Sequence, residues 1–124
     1  LMPTFGMNDT SIDKNTTTLY DVANFFDKVW HKDFLSSVNS DFLMSVITNT
    51  IYESFIPKGV PSDIAVAHKY GREVHVINDA GIVESKRPYV VVILTKGIID
   101  AEAEVSIPEI SRIVYENMQK LESI

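Results

Sequence analysis

Lys69-Tyr70-Gly71 is where the residue types of this chain could do chemistry. A lysine offers a fixed positive charge that attracts a carboxylate. Beside it stand an aromatic hydroxyl and a glycine. Glycine lets a ligand approach the backbone, and an N–H just after it can stabilise an oxyanion. On bare residues, a lysine at a strand end is most often a solvated charge. The three histidines, His31, His68 and His75, have no metal-ligand spacing. They read as a helix end, a strand hydrogen bond and a loop surface. With no cysteine in the chain, disulfides, thiol catalysis and cysteine metal sites are excluded. There is no glycine-rich phosphate loop.

The bulk of the chain narrows the classes further. Its 124 residues point to one domain, long enough to bury a core without staples. The net charge is -6, and no basic run exceeds Lys86-Arg87. That balance argues against a nucleic-acid surface, which needs a clustered basic face. No apolar run approaches the ~20 residues that span a bilayer. Leu1 to Asn15 lacks the basic start and apolar centre of a signal peptide. Since the first residue is Leu1, with Met2 and Met7 close by, the expectation is a piece of a longer chain.

Several elements must position the lysine. Pro3, Gly6 and Asn8-Asp9 favour turns. Thr18, followed three residues on by Asp21, resembles a capping box. Leu19, Val22, Ala23, Phe26, Val29 and Trp30 then recur at helical spacing as one apolar stripe, which predicts a helix over about 18–31 with Phe26 and Trp30 in the core. A second helix is expected from Asn39 or Ser40 to about Tyr52, burying Phe42, Leu43, Val46, Ile47 and Ile51. Pro57, Gly59 and Pro61 end the helical region in a loop.

Beyond that loop the period changes to two. Ile64, Val66, His68 and Tyr70 share one face of a first strand; Ala65, Ala67, Lys69 and Gly71 share the other. The alanines suggest a face pressed against a helix. Arg72 to Asn78 reads as a connection, Asp79 to Glu84 as a second strand, and Tyr89 to Thr95 as a third. Gly81 marks a bulge or a close approach. Short connections favour antiparallel neighbours. A last helix begins at Asp100 or at Ser106, where Ser106-Ile107-Pro108-Glu109 offers a cap and a proline suited to a first turn. Ile110, Ile113, Val114, Met118 and Leu121 form its apolar stripe.

Taken together, three stretches resemble a known family. They are Ala67-His68-Lys69-Tyr70-Gly71, Asn78-Asp79-Ala80-Gly81-Ile82-Val83 and Pro88-Tyr89-Val90-Val91-Val92-Ile93. In this order they are similar to the C-terminal part of the serine β-lactamase and penicillin-binding-protein superfamily, class A-like branch. Thr16-Thr17-Thr18 with Asp21-Val22-Ala23, and Ile56-Pro57-Lys58-Gly59-Val60-Pro61, resemble that family's helix start and loop. The resemblance implies an α+β fold. Residues 1–63 would give two helices of the helical part; residues 64–124 would give a three-stranded antiparallel sheet with a C-terminal helix packed on it. It implies a single domain portion over 1–124, with no cofactor and no metal. Lys69 would be catalytic, as part of a Lys-Thr-Gly-like strand, and Tyr70, Gly71 and Arg72 substrate-binding. Arg72 would carry the oxyanion-hole N–H.

The departures matter equally. Of the family's Ser-x-x-Lys, Ser-x-Asn and Lys-Thr-Gly elements, only the third has a counterpart. Ser11-Ile12-Asp13-Lys14 fits the first pattern but reads as a polar turn, and Ser62-Asp63-Ile64 lacks the asparagine. Tyr70 stands where the family has threonine. The resemblance therefore implies the C-terminal part of a serine hydrolase acting on a β-lactam, peptide or ester carboxylate, the chain alone being inactive. The alternative is a non-catalytic binding or structural module. Partners would be the complementary N-terminal half, or a second copy paired through the Tyr89–Thr95 edge; no nucleic acid partner and no membrane segment are expected. A bacterial, secreted or periplasmic setting is implied by resemblance alone.

Overall fold

A computed structural model describes residues 2–122 of the chain. Its helices are α1 (Leu19–His31), α2 (Ser37–Ile47) and α3 (Asp100–Glu122). Its strands are β1 (Val66–Glu73), β2 (Val76–Val83) and β3 (Tyr89–Ile93). The sheet order is β1-β2-β3, antiparallel throughout, as the short connections required.

The sheet is covered on both faces, and strand alternation decides what goes where. On one face Ala80 and Ile82 meet Phe26, Val22 and Phe25 of α1, with Met44 and Ile47 of α2. On the other, Val66, Ile77, Val83, Val91 and Ile93 meet Phe55 and Ile56, then Ala103 and Ile107 of α3. Thr18 caps α1 by accepting the Asp21 amide at 3.1 Å. The buried Asp21 carboxylate does not return to Thr18. It accepts from the Asp9 amide and the Thr10 hydroxyl instead, tying the leading segment to the helix.

Strand boundaries differ from the periodicity reading. Arg72 to Asn78 is not a connection. β1 runs on to Glu73 and β2 starts at Val76, leaving only Val74 and His75 in the turn. The turn closes because His75 adopts a left-handed backbone (φ 56°), and such a tight turn carries no Gly or Asn signal to read. β3 stops at Ile93, two residues early. There the Thr95 hydroxyl replaces the ladder, accepting from the Ile77 amide and donating to the Ile77 carbonyl.

The helix faces differ too. α2 begins earlier, with Ser36 as its cap, and ends at Ile47. Phe42 is 67% exposed and Ile51 88%. Leu43 and Ile47 turn inward as expected, joined by Ser40 and Met44. With Val38, Phe42 and Val46 all outside, α2 is apolar on several sides. Periodicity could not choose the buried one. Trp30, expected in the core, is also exposed. In α3, Ile110, Ile113 and Leu121 face outward. The buried line is Ala103, Ile107 and Ser111.

Pro108 lies inside α3, not in a first turn. It removes one backbone hydrogen bond, yet the helix continues because Ala103 and Ile107 on its preceding turns are fully buried. The Pro57–Gly59 turn packs directly over this point. A Cβ on Gly59 would fall 2.4 Å from the Pro108 carbonyl oxygen and 2.5 Å from Ser111 Cβ.

Candidate functional site

β1 is an edge strand, and its register fixes which backbone groups face outward. The Glu84 amide donates to the Ala65 carbonyl at 2.9 Å. In an antiparallel pair, hydrogen-bonded residues alternate. Ala67, Lys69 and Gly71 therefore bond toward β2, opposite Ile82, Ala80 and Asn78. Tyr70 and Arg72 turn their N–H and C=O groups away from β2. Among the described residues, nothing pairs with that side beyond the Thr48–Ala67 bridge after α2.

Side chains alternate the other way. Lys69 is exposed on the α1–α2 face, and its ammonium bends over the edge to donate to the Tyr70 carbonyl at 2.6 Å. It also lies 5.1 Å from the Tyr70 ring centroid, within cation–π range. Tyr70 is half-buried on the opposite face, its ring 4.9 Å from Tyr52 and 5.7 Å from Phe55. Gly71 is exposed, and a Cβ there would meet nothing within 4 Å. The Arg72 guanidinium pairs with Asp100 at the start of α3.

Beneath these residues lies a buried polar chain that the sequence reading missed. His68 Nδ1 and Asp79 Oδ1 are 2.8 Å apart. Asp79 Oδ2 accepts the Ile56 amide at 2.9 Å, and the Ile56 carbonyl accepts the Ser111 hydroxyl at 2.8 Å. Strands, loop and α3 are thereby joined across one core. His68 makes the strand hydrogen bond expected of it, and its partner is Asp79, for which the strand pattern predicts no more than a strand start. The available signal was an acidic residue inside an apolar strand, which must find a partner if it is buried.

The remaining residues make local contacts of their own. Ser11 and Lys14 sit in a turn closed by the Ser11–Thr16 bridge, where the Lys14 amide donates to the Ser11 hydroxyl. His31 bonds within α1, to Asp27. Among the described residues no cluster of three or more His, Cys, Asp or Glu could hold a metal, and no helix is long and apolar enough to cross a membrane.

A family model described as the beta-lactamase enzyme family matches residues 2–118. The chain belongs to the beta-lactamase enzyme family. Its fold matches about half of the β-lactamase and penicillin-binding-protein fold. A structure titled PBP-A superposes with a TM-score of 0.85 at 26% identity, covering 96% of this chain and 49% of that one. A variant of PBP-A, described as an acyl-enzyme complex with penicillin G, matches equally well. The β-lactamase from Sphaerobacter thermophilus gives 0.84 at 19% identity, over 94% of this chain and 50% of its own. An ancestral class A β-lactamase gives 0.75 at 27%, over 83% and 42%. The chain thus spans about half the length of these structures. No curated protein sequence matches it.

Proposed function

We propose that this chain supplies the substrate-binding wall of a serine acyl-transfer site that takes β-lactams or peptide-like carboxylates. Lys69 attracts the carboxylate, Gly71 leaves room for close approach, and the Arg72 N–H stabilises the oxyanion. Tyr70 contributes its outward backbone groups and an aromatic shelf. The observation that carries this reading is the open β1 edge, with Lys69 bent over it and the Arg72 amide turned outward. On this reading the serine nucleophile comes from outside the chain, since Ser11 of the Ser-x-x-Lys match lies in a polar turn closed by its bridge to Thr16.

The β3 edge supports the partner half of the proposal. By the same parity, Val90 and Val92 turn their N–H and C=O groups away from β2. An unpaired apolar edge is a template for another strand. Beside it a cavity of about 520 Å³ opens between α1 and β3, lined by Tyr20, Asn24, Asp27, Trp30, Tyr89 and Val90. The complementary half of the domain, or a second copy, pairs there.

One observation favours a non-catalytic module. The Tyr70 ring packs on Tyr52 and Phe55, whereas a threonine would leave a small hydroxyl near the edge. The two readings separate on ligand binding. Titration with benzylpenicillin, followed by amide NMR, shifts Lys69 to Arg72 if this is a substrate wall, and Lys69→Ala abolishes the shift. The chain alone neither turns over a chromogenic cephalosporin nor acquires a fluorescent penicillin at Ser11; either event defeats the assignment. Absence of any shift at millimolar benzylpenicillin leaves the module reading.

A further inference from the structure

We infer that the cavity between α1, α2 and the turn after β2 is a binding site for a small organic monocation, an amine with an apolar body. The cavity measures about 320 Å³. Val29, Trp30 and Met44 give it apolar walls, Lys32, Asp41 and Glu84 its charges, and Ser40 a hydroxyl. None of these residues belongs to the β1 edge. Its walls are positioned without a ligand. Lys32 ends α1 in a left-handed backbone (φ 60°). Its ammonium reaches across to α2, 2.8 Å from Asp41, and donates to the Ser37 hydroxyl at 2.9 Å. The Glu84 amide is tied to the Ala65 carbonyl at 2.9 Å.

Charge selects the ligand. Asp41 balances Lys32. The half-buried Glu84 carboxylate has no hydrogen bond or ion pair among the described residues, although Lys86 and Arg87 follow in the same turn. The lining thus carries one uncompensated negative charge. Among the described residues no cluster of acids or histidines stands there to hold a metal ion. The Trp30 indole offers the π face that best attracts a cation. Ser40 is 1% exposed, and its hydroxyl has no partner among the described residues. A buried hydroxyl left unpaired costs free energy, which a donor brought by a ligand recovers. An ammonium group supplies that N–H and meets Glu84, while an apolar body fills the space against Val29 and Met44.

Trp30 is the chain's one tryptophan, so its indole N–H signal in NMR reports on this wall directly. The full chain is titrated at neutral pH with cyclohexylmethylamine, which is then protonated, and with cyclohexylmethanol, an uncharged molecule of the same shape. The amine should bind about fivefold tighter at low salt, and high salt should narrow the gap. Glu84→Gln should erase most of that preference. Ser40→Ala should weaken the amine about threefold yet melt no lower than wild type, because it deletes an unpaired hydroxyl. Trp30 also lines the 520 Å³ cavity together with Asp27, so Asp27→Asn serves as the control and should leave amine binding unchanged. Equal binding of amine and alcohol overturns the inference, as does the absence of an indole shift at millimolar amine. Loss of binding in Asp27→Asn but not in Glu84→Gln places the amine in the other cavity and overturns it too.

Discussion

His68 and Asp79 face each other across the β1–β2 ladder, 2.8 Å apart, with side-chain exposures of 1% and 0%. They are not direct cross-strand partners, since Asp79 stands opposite Tyr70 and His68 opposite Gly81. The diagonal contact is possible because Gly81 has no side chain to fill the space beside His68. The Lys69–Arg72 edge is therefore mounted on a buried polar contact rather than on apolar packing alone.

Asp79→Ala removes the acceptor for both His68 and the Ile56 amide. Breaking such a buried pair leaves unpaired groups and costs about 3–5 kcal/mol. Urea unfolding should show that loss, and the Ile56 amide should lose its exchange protection. His68→Ala should cost less, because the Ile56 amide keeps its acceptor. Equal stability of Asp79→Ala and wild type would remove Asp79 from this role.

Two glycines of the sheet should answer oppositely to alanine. A Cβ on Gly81 would lie 2.2 Å from the Ala67 carbonyl oxygen and 2.6 Å from His68 Cβ. Since backbone must move to admit it, Gly81→Ala should destabilise by about 1–3 kcal/mol. Gly71→Ala meets open space and should leave the melting temperature close to wild type. On the proposed substrate-wall reading, its effect falls on ligand binding instead. Parallel thermal melts decide the matter, and a reversed order of the two variants would refute the register described for β1.

Burial pushes the Tyr89 phenol up to about 12, with Tyr115 adding to the rise. Its hydroxyl is buried and makes no hydrogen bond among the described residues. Raised above the ordinary value near 10, the phenol stays protonated in the folded chain while the unfolded chain ionises. Tyr89 therefore contributes no pH dependence below about 10, and stability falls as pH rises from about 10 to about 12. Phenolate absorbance should show one of the five tyrosines titrating late. Tyr89→Phe should remove that late fraction and flatten the alkaline loss.

The β3 edge should make the chain associate. Light scattering should give a mass that rises with concentration, with the Val90 and Val92 amides protected in the associated form. Adding the complementary half of the domain should compete with self-association. A concentration-independent monomer whose Val90 and Val92 amides exchange freely would count against pairing at this edge.

The sequence by itself determined the order of elements, the antiparallel sheet, and the two faces of β1. Each is a local property: Thr18 caps, Pro57 and Gly59 interrupt, and Val66, His68 and Tyr70 alternate with Ala67 and Lys69 whatever lies around them. The motif stretches also carried the family. Tertiary structure alone decided what each surface touches. α2 is apolar on several sides, so only its neighbours selected Ser40 and Ile47 over Phe42. Pro108 could stay inside α3 because buried contacts outweigh one lost hydrogen bond. Asp79 became a buried anchor, and Arg72 met Asp100, through contacts between residues distant in the chain. Periodicity reports which way a side chain points; only packing supplies the partner it meets there.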